Sequence, residues 1–392
     1  MANSTTPRLR VALIGSGFMG AAHSQAWRVA PRFFDLPLAP EMSILVGHDS
    51  ARTTAAAEKF GWANSSTDWR RVVESPDVDL VDICTPGDTH RDIAVAALAA
   101  GKHVLCEKPL ANTVPEAEEM AAAATVAAAA GIRSMVGFSY RRVPAFTFAR
   151  QLVAEGKVGT VRQVRVQYLQ DWLVDENGPM TWRLDKSRAG SGSLGDIGAH
   201  AIDMAEFITG SRIESTNGLL HTFVTERPLL GESVGLSGIA SDERGVVTVD
   251  DVALFTSRLS NGALASFEAT RYATGRKNAF RVEISGSRGA IAVDLERMNE
   301  LEYYDATLPH DLLGFRRVYV TEPEHPYMSA WWPTGHAIGY EHSFTHQARD
   351  LVVAIADGEQ PRPSFDDGLH VQRVLAAVEQ SSDAGGDWLQ VE

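Results

Sequence analysis

Two side chains in this sequence have the chemistry to assist the oxidation of a secondary alcohol. Lys108 precedes Pro109 at the end of an apolar run, and His200 follows Asp196 at a spacing of four residues. Such an oxidation by a nicotinamide needs a base for the hydroxyl proton and a positive group for the developing alkoxide. We predict that His200 is the acid/base and that Lys108 orients the reacting hydroxyl. A solvated lysine on a strand-end loop is the alternative interpretation of Lys108.

Asp196, His200 and Asp203 would share one face of a helix. We expect this face to line the substrate site, with Asp196 binding either the imidazole or a substrate hydroxyl. A solvated polar stripe, with Asp196 as a helix N-cap, is the alternative. We predict no metal here, because Lys108 already supplies the electrophile and no cysteine and histidine ligand set accompanies the three residues.

A second group of histidines lies near the C-terminus. His342 and His346 are four residues apart beside Glu341, but the glutamate precedes the first histidine, unlike the order in HExxH zinc sites. We expect an exposed or interface helix face there. The roles of these two histidines and of His336 stay open.

A glycine-rich turn follows the first apolar run. It lies between a β-branched segment, 8–14, and a segment of helical composition, 21–30. In this context the first glycine allows a tight turn, the second lets the backbone approach a pyrophosphate, and the third allows close helix packing. A turn with a purely structural role is the alternative. We predict dinucleotide contacts from all six residues of the turn, Gly15, Ser16, Gly17, Phe18, Met19 and Gly20.

Strand and helix patterns alternate through the first part of the chain. Strands are predicted at 8–14, 42–47, 78–84, 102–106 and 132–138, and helices at 21–30, 51–60, 89–100 and 115–130. Beyond residue 139 the patterns are mostly strand-like, with helices at 195–209 and 340–357 and long loops at 227–250 and 305–339. The fold class is therefore α/β. We predict a doubly wound, parallel-sheet Rossmann domain over 1–138 and an α+β domain with a mostly antiparallel sheet over 139–392.

Composition excludes several classes of partner. Among 392 residues, 36 are Lys or Arg and 50 are Asp or Glu, which gives a net charge of −14. That charge disfavours nucleic acid and anionic lipid surfaces. The polar N-terminus and the lack of a long apolar run predict a cytoplasmic protein without a membrane span. Cys84 and Cys106 each lie in an apolar run and are expected to be reduced core thiols.

Several further motifs together resemble the Gfo/Idh/MocA oxidoreductase superfamily. They include Cys106-Glu107-Lys108-Pro109-Leu110, the pair Thr85-Pro86 leading to His90, and the segment 190–200 that ends in Asp196, Gly198 and His200. Within that superfamily, the glycine turn and the segments 140–142, 168–172 and 192–196 resemble the branch of levoglucosan, sugar and inositol dehydrogenases. Gly87 departs from the resemblance, because many members have asparagine there.

The resemblance implies additional site residues and a cis Lys108–Pro109 peptide bond. The cofactor contacts that it implies are Asp49, Thr85, Pro86, His90, Glu107 and Lys108, together with the glycine turn. The substrate contacts that we predict are Tyr140, Trp172, Arg183, Asp196, His200 and Tyr340. A flat indole such as that of Trp172 suits the C–H face of a pyranose or cyclitol, and core packing or an oligomer contact is its alternative role.

The expected function is NAD-dependent oxidation of a secondary hydroxyl in a sugar or cyclic polyol. Two alternatives use the same fold. One is an NAD-dependent glycosidase, which oxidises its substrate transiently and regains the hydride, and the other is a non-catalytic dinucleotide-sensing regulator. A homodimer or homotetramer is expected, because an antiparallel sheet with one face not covered by its own helices usually finds a partner.

Cofactor choice is predicted from Asp49, which ends the second strand and can bind the two ribose hydroxyls of NAD while repelling the 2′-phosphate of NADP. Arg52, three residues on, could instead pair with that phosphate, or it could be a solvated residue near Glu58. We expect NAD to be preferred by at least ~10-fold in kcat/KM, or about 1.4 kcal/mol. Asp49→Ser should shrink or reverse this preference. Steady-state rates with both cofactors check it, and a wild-type preference for NADP would show that Arg52 governs the pocket.

Overall fold

The computed structural model describes residues 6–234 and 237–392. Their contacts divide the chain into two units. The first extends to Val143 and also takes in Ser329–Trp332 and Ile338–His370, and the second holds Pro144–Met328, Pro333–Ala337 and Val371–Glu392. The prediction that 139–392 forms a single domain differs from this division, because a C-terminal helix belongs to the first unit.

The first unit contains a six-stranded parallel sheet in the order β3-β2-β1-β4-β5-β6. This is the strand order of a doubly wound Rossmann fold, as predicted. The short strand β3 was not predicted, since its three residues are all polar. The strands are β1 Arg8–Ile14, β2 Ala39–Val46, β3 Asn64–Ser66, β4 Leu80–Ile83, β5 His103–Cys106 and β6 Ser134–Val136.

The second unit contains a nine-stranded sheet in which most neighbouring strands are antiparallel, as predicted, although β7 and β12 run parallel. Its strands are β7 Val161–Leu169, β8 Ile213–His221, β11 Val252–Leu259, β12 Leu264–Thr270, β13 Ala279–Gly286, β14 Gly289–Asp294, β15 Glu300–Asp305, β16 Arg316–Tyr319 and β17 Leu389–Gln390. A separate antiparallel pair consists of β9 Glu226–Val234 and β10 Ser237–Val246.

Ten α-helices occur in the described part of the chain. They are α1 Phe18–Phe33, α2 Ser50–Phe60, α3 Trp69–Val73, α4 His90–Ala99, α5 Val114–Ala129, α6 Pro144–Ala154, α7 Lys186–Ala189, α8 Ala199–Thr209, α9 Glu341–Asp357 and α10 Phe365–Asp383. No helix in the described ranges has both the length and the hydrophobicity needed to cross a membrane.

Helix α9 joins the first unit through its apolar face. Phe344, Leu351 and Val352 are buried in the same core cluster as Trp27 of α1. Their spacing places them on one side of the helix, as in an amphipathic element that buries a single stripe. This packing explains why residues near the C-terminus belong to the N-terminal unit.

Both predicted long loops contain strands. The segment 227–250 contributes most of the β9/β10 pair, and 305–339 contains β16. Glycine and serine suggested loops, but ladder hydrogen bonds are made by the backbone and do not require apolar side chains. The two cysteines are free thiols, and Cys106 is buried as expected, whereas Cys84 is only partly buried.

Candidate cofactor and substrate sites

The glycine turn between β1 and α1 is fixed by close backbone contacts. Gly15 has a φ of +111°, and a Cβ there would lie 2.6 Å from the carbonyl oxygen of Cys84. A Cβ on Gly20 would lie only 2.0 Å from the carbonyl oxygen of Gly15. These two glycines are therefore required by the chain's own packing, whatever the turn binds.

Gly17 is different, because a Cβ there would meet nothing within 4 Å. It is the N-cap of α1 and no side chain caps that helix end. The first backbone N–H groups of a helix lack partners within the helix, and they attract anions. The open space beside Gly17 and the uncapped helix end together fit a bound pyrophosphate. Phe18, the next residue, has 55% of its surface exposed.

Asp49 is exposed at the end of β2 and caps α2. Its Oδ1 atom accepts a hydrogen bond from the backbone N of Arg52 at 2.8 Å. Capping uses one carboxylate oxygen, so the other is available to a ribose hydroxyl. The Arg52 side chain is exposed, and no ion pair to Glu58 is formed in the described structure.

The ring of His90 contacts two loops at the carboxyl ends of the parallel strands. Its Nε2 atom lies 2.9 Å from the carbonyl oxygen of Thr85, and its Nδ1 atom lies 3.0 Å from that of Pro109. The side chain is buried, with 1% of its surface exposed. His90 thus links the turn after β4, which includes Pro86, to the turn after β5.

Gly87, where the sequence departs from many relatives, leaves room for a neighbouring amide. A Cβ at this position would lie 2.4 Å from Oδ1 of Asn112. The side chain of Asn112 therefore stands beside the turn that follows Thr85-Pro86. No sequence pattern indicated this placement, because the two residues lie on different loops.

Glu107 and Lys108 follow β5, and the Lys108–Pro109 peptide bond is cis, as the resemblance implied. Glu107 was predicted to contact the cofactor. Its side chain is directed into the unit, with Oε1 lying 3.1 Å from Nε2 of His23 and 4% of the residue exposed. Its Oε2 atom accepts a hydrogen bond from the backbone N of Lys108 at 3.3 Å.

Three aromatic rings of the first unit form a continuous group. Tyr340 stacks on Phe18 with a centroid distance of 6.3 Å and meets Tyr140 edge to face at 6.2 Å. Burial raises the pKa of the Tyr340 hydroxyl, and the nearby Tyr140 raises it further. The Tyr340 hydroxyl therefore stays neutral and can act as a hydrogen-bonding group.

In the second unit, the predicted Asp-His-Asp segment begins with an irregular turn. Leu194–Gly198 forms a π-helical turn that contains Asp196, and α8 then carries His200 and Asp203. Such π turns are frequent at functional sites. His200 and Asp203 are 7% and 2% exposed, which excludes the solvated stripe considered as an alternative. Asp196 is not an N-cap, since Ser193 and Gly198 hold those positions.

Two buried residues that the sequence did not reveal, Asp250 and Arg271, lie at this turn. Asp250 accepts hydrogen bonds from the backbone N of Gly192 at 2.7 Å and of Leu194 at 2.8 Å. Burial raises the pKa of Asp250, and the cation of Arg271 opposes that shift. The Nη1 atom of Arg271 lies 3.7 Å from Oδ2 of Asp196. Both residues are far from the turn in sequence, so no local motif marks them.

Trp172 and Arg183 also belong to the second unit. Trp172 is 44% exposed, and its Nε1 donates to Oε1 of Gln170 at 3.0 Å. The guanidinium of Arg271 lies 5.5 Å from the centre of its ring. Its orientation is therefore fixed while much of the indole stays accessible. Arg183 lies over the ring of Trp182 at 4.4 Å.

The expectation of an exposed or interface face at the C-terminal histidines is wrong for His346. This residue is fully buried, its Nε2 accepts a hydrogen bond from Nε1 of Trp331 at 2.7 Å, and its Nδ1 donates to the carbonyl of Arg142 at 2.8 Å. Burial lowers its pKa to about 3, so the ring is neutral.

The other two C-terminal histidines differ from His346. His342 is partly buried and accepts a hydrogen bond from the backbone N of Gly339, and His336 is exposed. Neither belongs to a group of metal-ligating residues in the described ranges.

Comparison with known proteins identifies the family. Residues 9–138 match the family model described as "Oxidoreductase family, NAD-binding Rossmann fold". Residues 146–292 match the model of the GFO/IDH/MocA C-terminal domain. The chain belongs to the Gfo/Idh/MocA oxidoreductase family. Its first unit is accordingly an NAD-binding Rossmann domain, which agrees with the open space beside Gly17.

Members of this family with high similarity include sugar dehydrogenases. Levoglucosan dehydrogenase of Pseudarthrobacter phenanthrenivorans is 42% identical, over 98% of each chain. A crystal structure of a levoglucosan dehydrogenase with NADH and levoglucosan has a TM-score of 0.92 and 41% identity, covering 98% of this chain and 99% of that one. An oxidoreductase domain protein from Kribbella flavida has a TM-score of 0.94 and 61% identity, covering 98% and 100%.

The open space at Gly17 leads to a test of cofactor binding. Gly17 has a backbone conformation that alanine can adopt, so Gly17→Ala should fold with an unchanged Tm. The added methyl would occupy the space assigned to the pyrophosphate and should weaken NADH binding by about tenfold or more. Fluorescence titration with NADH measures this. Gly314→Ala is the matched control, because its Cβ also meets nothing within 4 Å, and equal NADH affinity in both variants would contradict the assignment.

Proposed function

We propose that this protein is an NAD-dependent dehydrogenase that oxidises a secondary hydroxyl of a pyranose sugar or cyclic polyol, such as levoglucosan, a glycoside or an inositol. The observation that carries the proposal is the 42% identity to levoglucosan dehydrogenase over 98% of both chains. Solved levoglucosan dehydrogenases bind NADH together with levoglucosan or L-sorbose. This similarity extends over both units of the chain rather than over the cofactor domain alone.

In this reaction the bound NAD would accept a hydride from the carbon that carries the hydroxyl. His200 would take the hydroxyl proton, so that the C–O single bond becomes a carbonyl as the C–H bond breaks. The ammonium of Lys108 would orient the hydroxyl and stabilise the negative charge that develops on its oxygen. The burial of His200 supports this role, because a base shielded from water keeps a defined position and partner.

Trp172 and Asp196 would bind the sugar itself. The exposed indole, oriented by Gln170 and Arg271, offers a flat surface for the C–H face of a pyranose. The carboxylate of Asp196, whose side chain is 30% exposed, can accept hydrogen bonds from substrate hydroxyls. Further substrate contacts would come from three polar or aromatic side chains, Tyr140, Arg183 and Tyr340.

The cofactor would bind at the carboxyl ends of the strands of the first sheet, between the turns that follow β1, β2 and β4. The glycine turn would bind the pyrophosphate and Asp49 the adenosine ribose. Thr85 and Pro86 would contact the cofactor after β4, on a turn beside His90, whose two ring nitrogens lie 2.9 and 3.0 Å from the carbonyl oxygens of Thr85 and Pro109. Asn112, whose side chain lies beside Gly87, would supply an amide to the cofactor there.

A homodimer or homotetramer is proposed through the nine-stranded sheet. Leu219, Leu254 and Leu264 on neighbouring strands of this sheet are 60%, 43% and 48% exposed. Leu219 and Leu254 lie directly opposite each other on β8 and β11, and exposed apolar side chains favour association with another surface. Light scattering that returned the 42.5 kDa mass of one chain would refute the proposal.

The function is tested by following NADH formation with levoglucosan, inositols, glucose, galactose, xylose and glycosides. A dehydrogenase accumulates one NADH for each sugar oxidised. An NAD-dependent glycosidase would consume a glycoside without lasting NADH. A regulator would bind NADH tightly and oxidise none of the compounds, and either of these results would overturn the proposal.

The role of Lys108 predicts a large loss of turnover on substitution. Lys108→Met removes the charge that stabilises the alkoxide but leaves the glycine turn intact. The value of kcat should fall by about 10²-fold or more, while the Kd for NADH changes little. Lys59→Met at an exposed position is the control. Near-normal turnover in Lys108→Met would remove this residue from the mechanism.

The role of His200 is tested by the pH profile. With a histidine base, the rate should rise as the imidazole loses its proton, and His200→Ala should abolish that rise and lower the rate by about 10² to 10⁴. The exposed His310 provides a control substitution, His310→Ala. If the alkaline rise survives in His200→Ala with its original midpoint, another group is the base, and Tyr140 is the next candidate.

A further inference from the structure

A chain of hydrogen bonds crosses the interior of the Rossmann unit from β4 to the turn after β5. The Nδ1 atom of His23, on α1, lies 2.9 Å from both carboxylate oxygens of Asp82, on β4. The Nε2 atom of the same ring lies 3.1 Å from Oε1 of Glu107. His23, Asp82 and Glu107 are 1%, 0% and 4% exposed, so water does not replace these partners.

The partners of His23 determine its charge. An ionised carboxylate only accepts hydrogen bonds, so a ring that binds one carboxylate at each nitrogen must donate from both and is an imidazolium. Burial favours the neutral ring, but the carboxylate of Asp82 more than compensates and raises the pKa of His23 well above its usual value. The nearby thiol of Cys84 stays neutral, since burial raises its pKa.

The remaining neighbours leave this arrangement little freedom. Trp27 donates from Nε1 to Oδ2 of Asp82 at 2.7 Å, and the ring of Phe344 lies 5.4 Å from that of His23. On the other side, a Cβ at Gly137 would lie 2.6 Å from Oε1 of Glu107. The Glu107 carboxylate is therefore held between α1 and the end of β6.

We propose that His23 is a positioning residue for Lys108. Its cation fixes the carboxylate of Glu107, and the second oxygen of that carboxylate accepts the backbone N–H of Lys108 at 3.3 Å. The backbone from which the Lys108 ammonium extends is thus tied to a buried group on α1. The kinetic part of this inference rests on the proposed dehydrogenase function.

Stability alone does not account for these three charges. Desolvation of a buried ionic group is expensive, and well-packed apolar side chains of similar volume are often as stable or more stable. The contact of this group with the backbone of Lys108 gives it a role that an apolar core could not fill.

The kinetic test compares His23→Gln with Trp62→Phe. Trp62→Phe also removes a buried hydrogen bond to α1, from Nε1 to Oγ of Ser24, but it leaves Asp82 and Glu107 untouched. We expect His23→Gln to lower kcat by about 10- to 100-fold with less than about threefold change in the Kd for NADH. Trp62→Phe should lower Tm while kcat stays near that of the wild type. Equal effects of the two variants on kcat and Tm would overturn the proposal.

A double-substitution cycle tests whether His23 acts through Glu107. If it does, His23→Gln combined with Glu107→Gln should cost little more in kcat than the larger single effect. Additive losses would contradict a shared role. In His23→Gln the two carboxylates lose their common cation, so one should take up a proton and add a new ionisation to the pH profile of kcat.

The charge of His23 is measured without any substrate. ¹⁵N NMR of the wild-type protein should show both ring nitrogens protonated near pH 7, above the usual pKa of a histidine. A neutral ring near pH 7 would refute the inference even if the protein is a dehydrogenase. Conversely, an imidazolium in a protein that oxidises no sugar would leave the charge assignment standing and would overturn both the proposed function and the positioning role.

Discussion

The approach of Gly20 to the carbonyl oxygen of Gly15 determines where helix α1 lies. A single added carbon at Gly20 would come within 2.0 Å of that oxygen, so the helix can leave the sheet in this direction only with glycine there. Three features of the first unit depend on this position of α1. Gly17 presents an open backbone at its N-terminus, His23 reaches Glu107 in the interior, and Trp27 joins the core that also contains α9. Cofactor binding, lysine positioning and the packing of the C-terminal helix are thus coupled through α1.

Buried charge organises functional backbone in both units. In the first, His23 and Glu107 hold the backbone before the cis Lys108–Pro109 bond. In the second, Asp250 binds two backbone N–H groups of the turn that leads to Asp196. Since a carboxylate accepting backbone hydrogen bonds fixes a loop more firmly than apolar contacts do, each unit presents its predicted reactive residues on a constrained segment.

Much of the first unit could be predicted from the sequence, because its signals are local. The β-branched run, the glycine turn and the alternating strands and helices identify a Rossmann sheet without knowledge of distant contacts. The missed features depend on residues far apart. Nothing near His346 indicates that Trp331 and the Arg142 carbonyl bury it, and nothing near Asp196 indicates Arg271. His23 did give a local signal, since it is a histidine three residues after the last glycine of the turn, on a helix whose neighbouring positions are mostly apolar.

In the proposed reaction, a hydride passes from a ring carbon of a sugar to NAD. The most direct test uses a set of levoglucosan samples, each carrying deuterium at a different single ring carbon. After each reaction the nicotinamide is analysed for deuterium by NMR. If the proposed hydride transfer occurs, the sample labelled at the oxidised carbon will give deuterium at C4 of the reduced nicotinamide, in an amount equal to the ketone formed. Deuterium that stays in the sugar at every position, or exchanges into water without reduced nicotinamide, would contradict it.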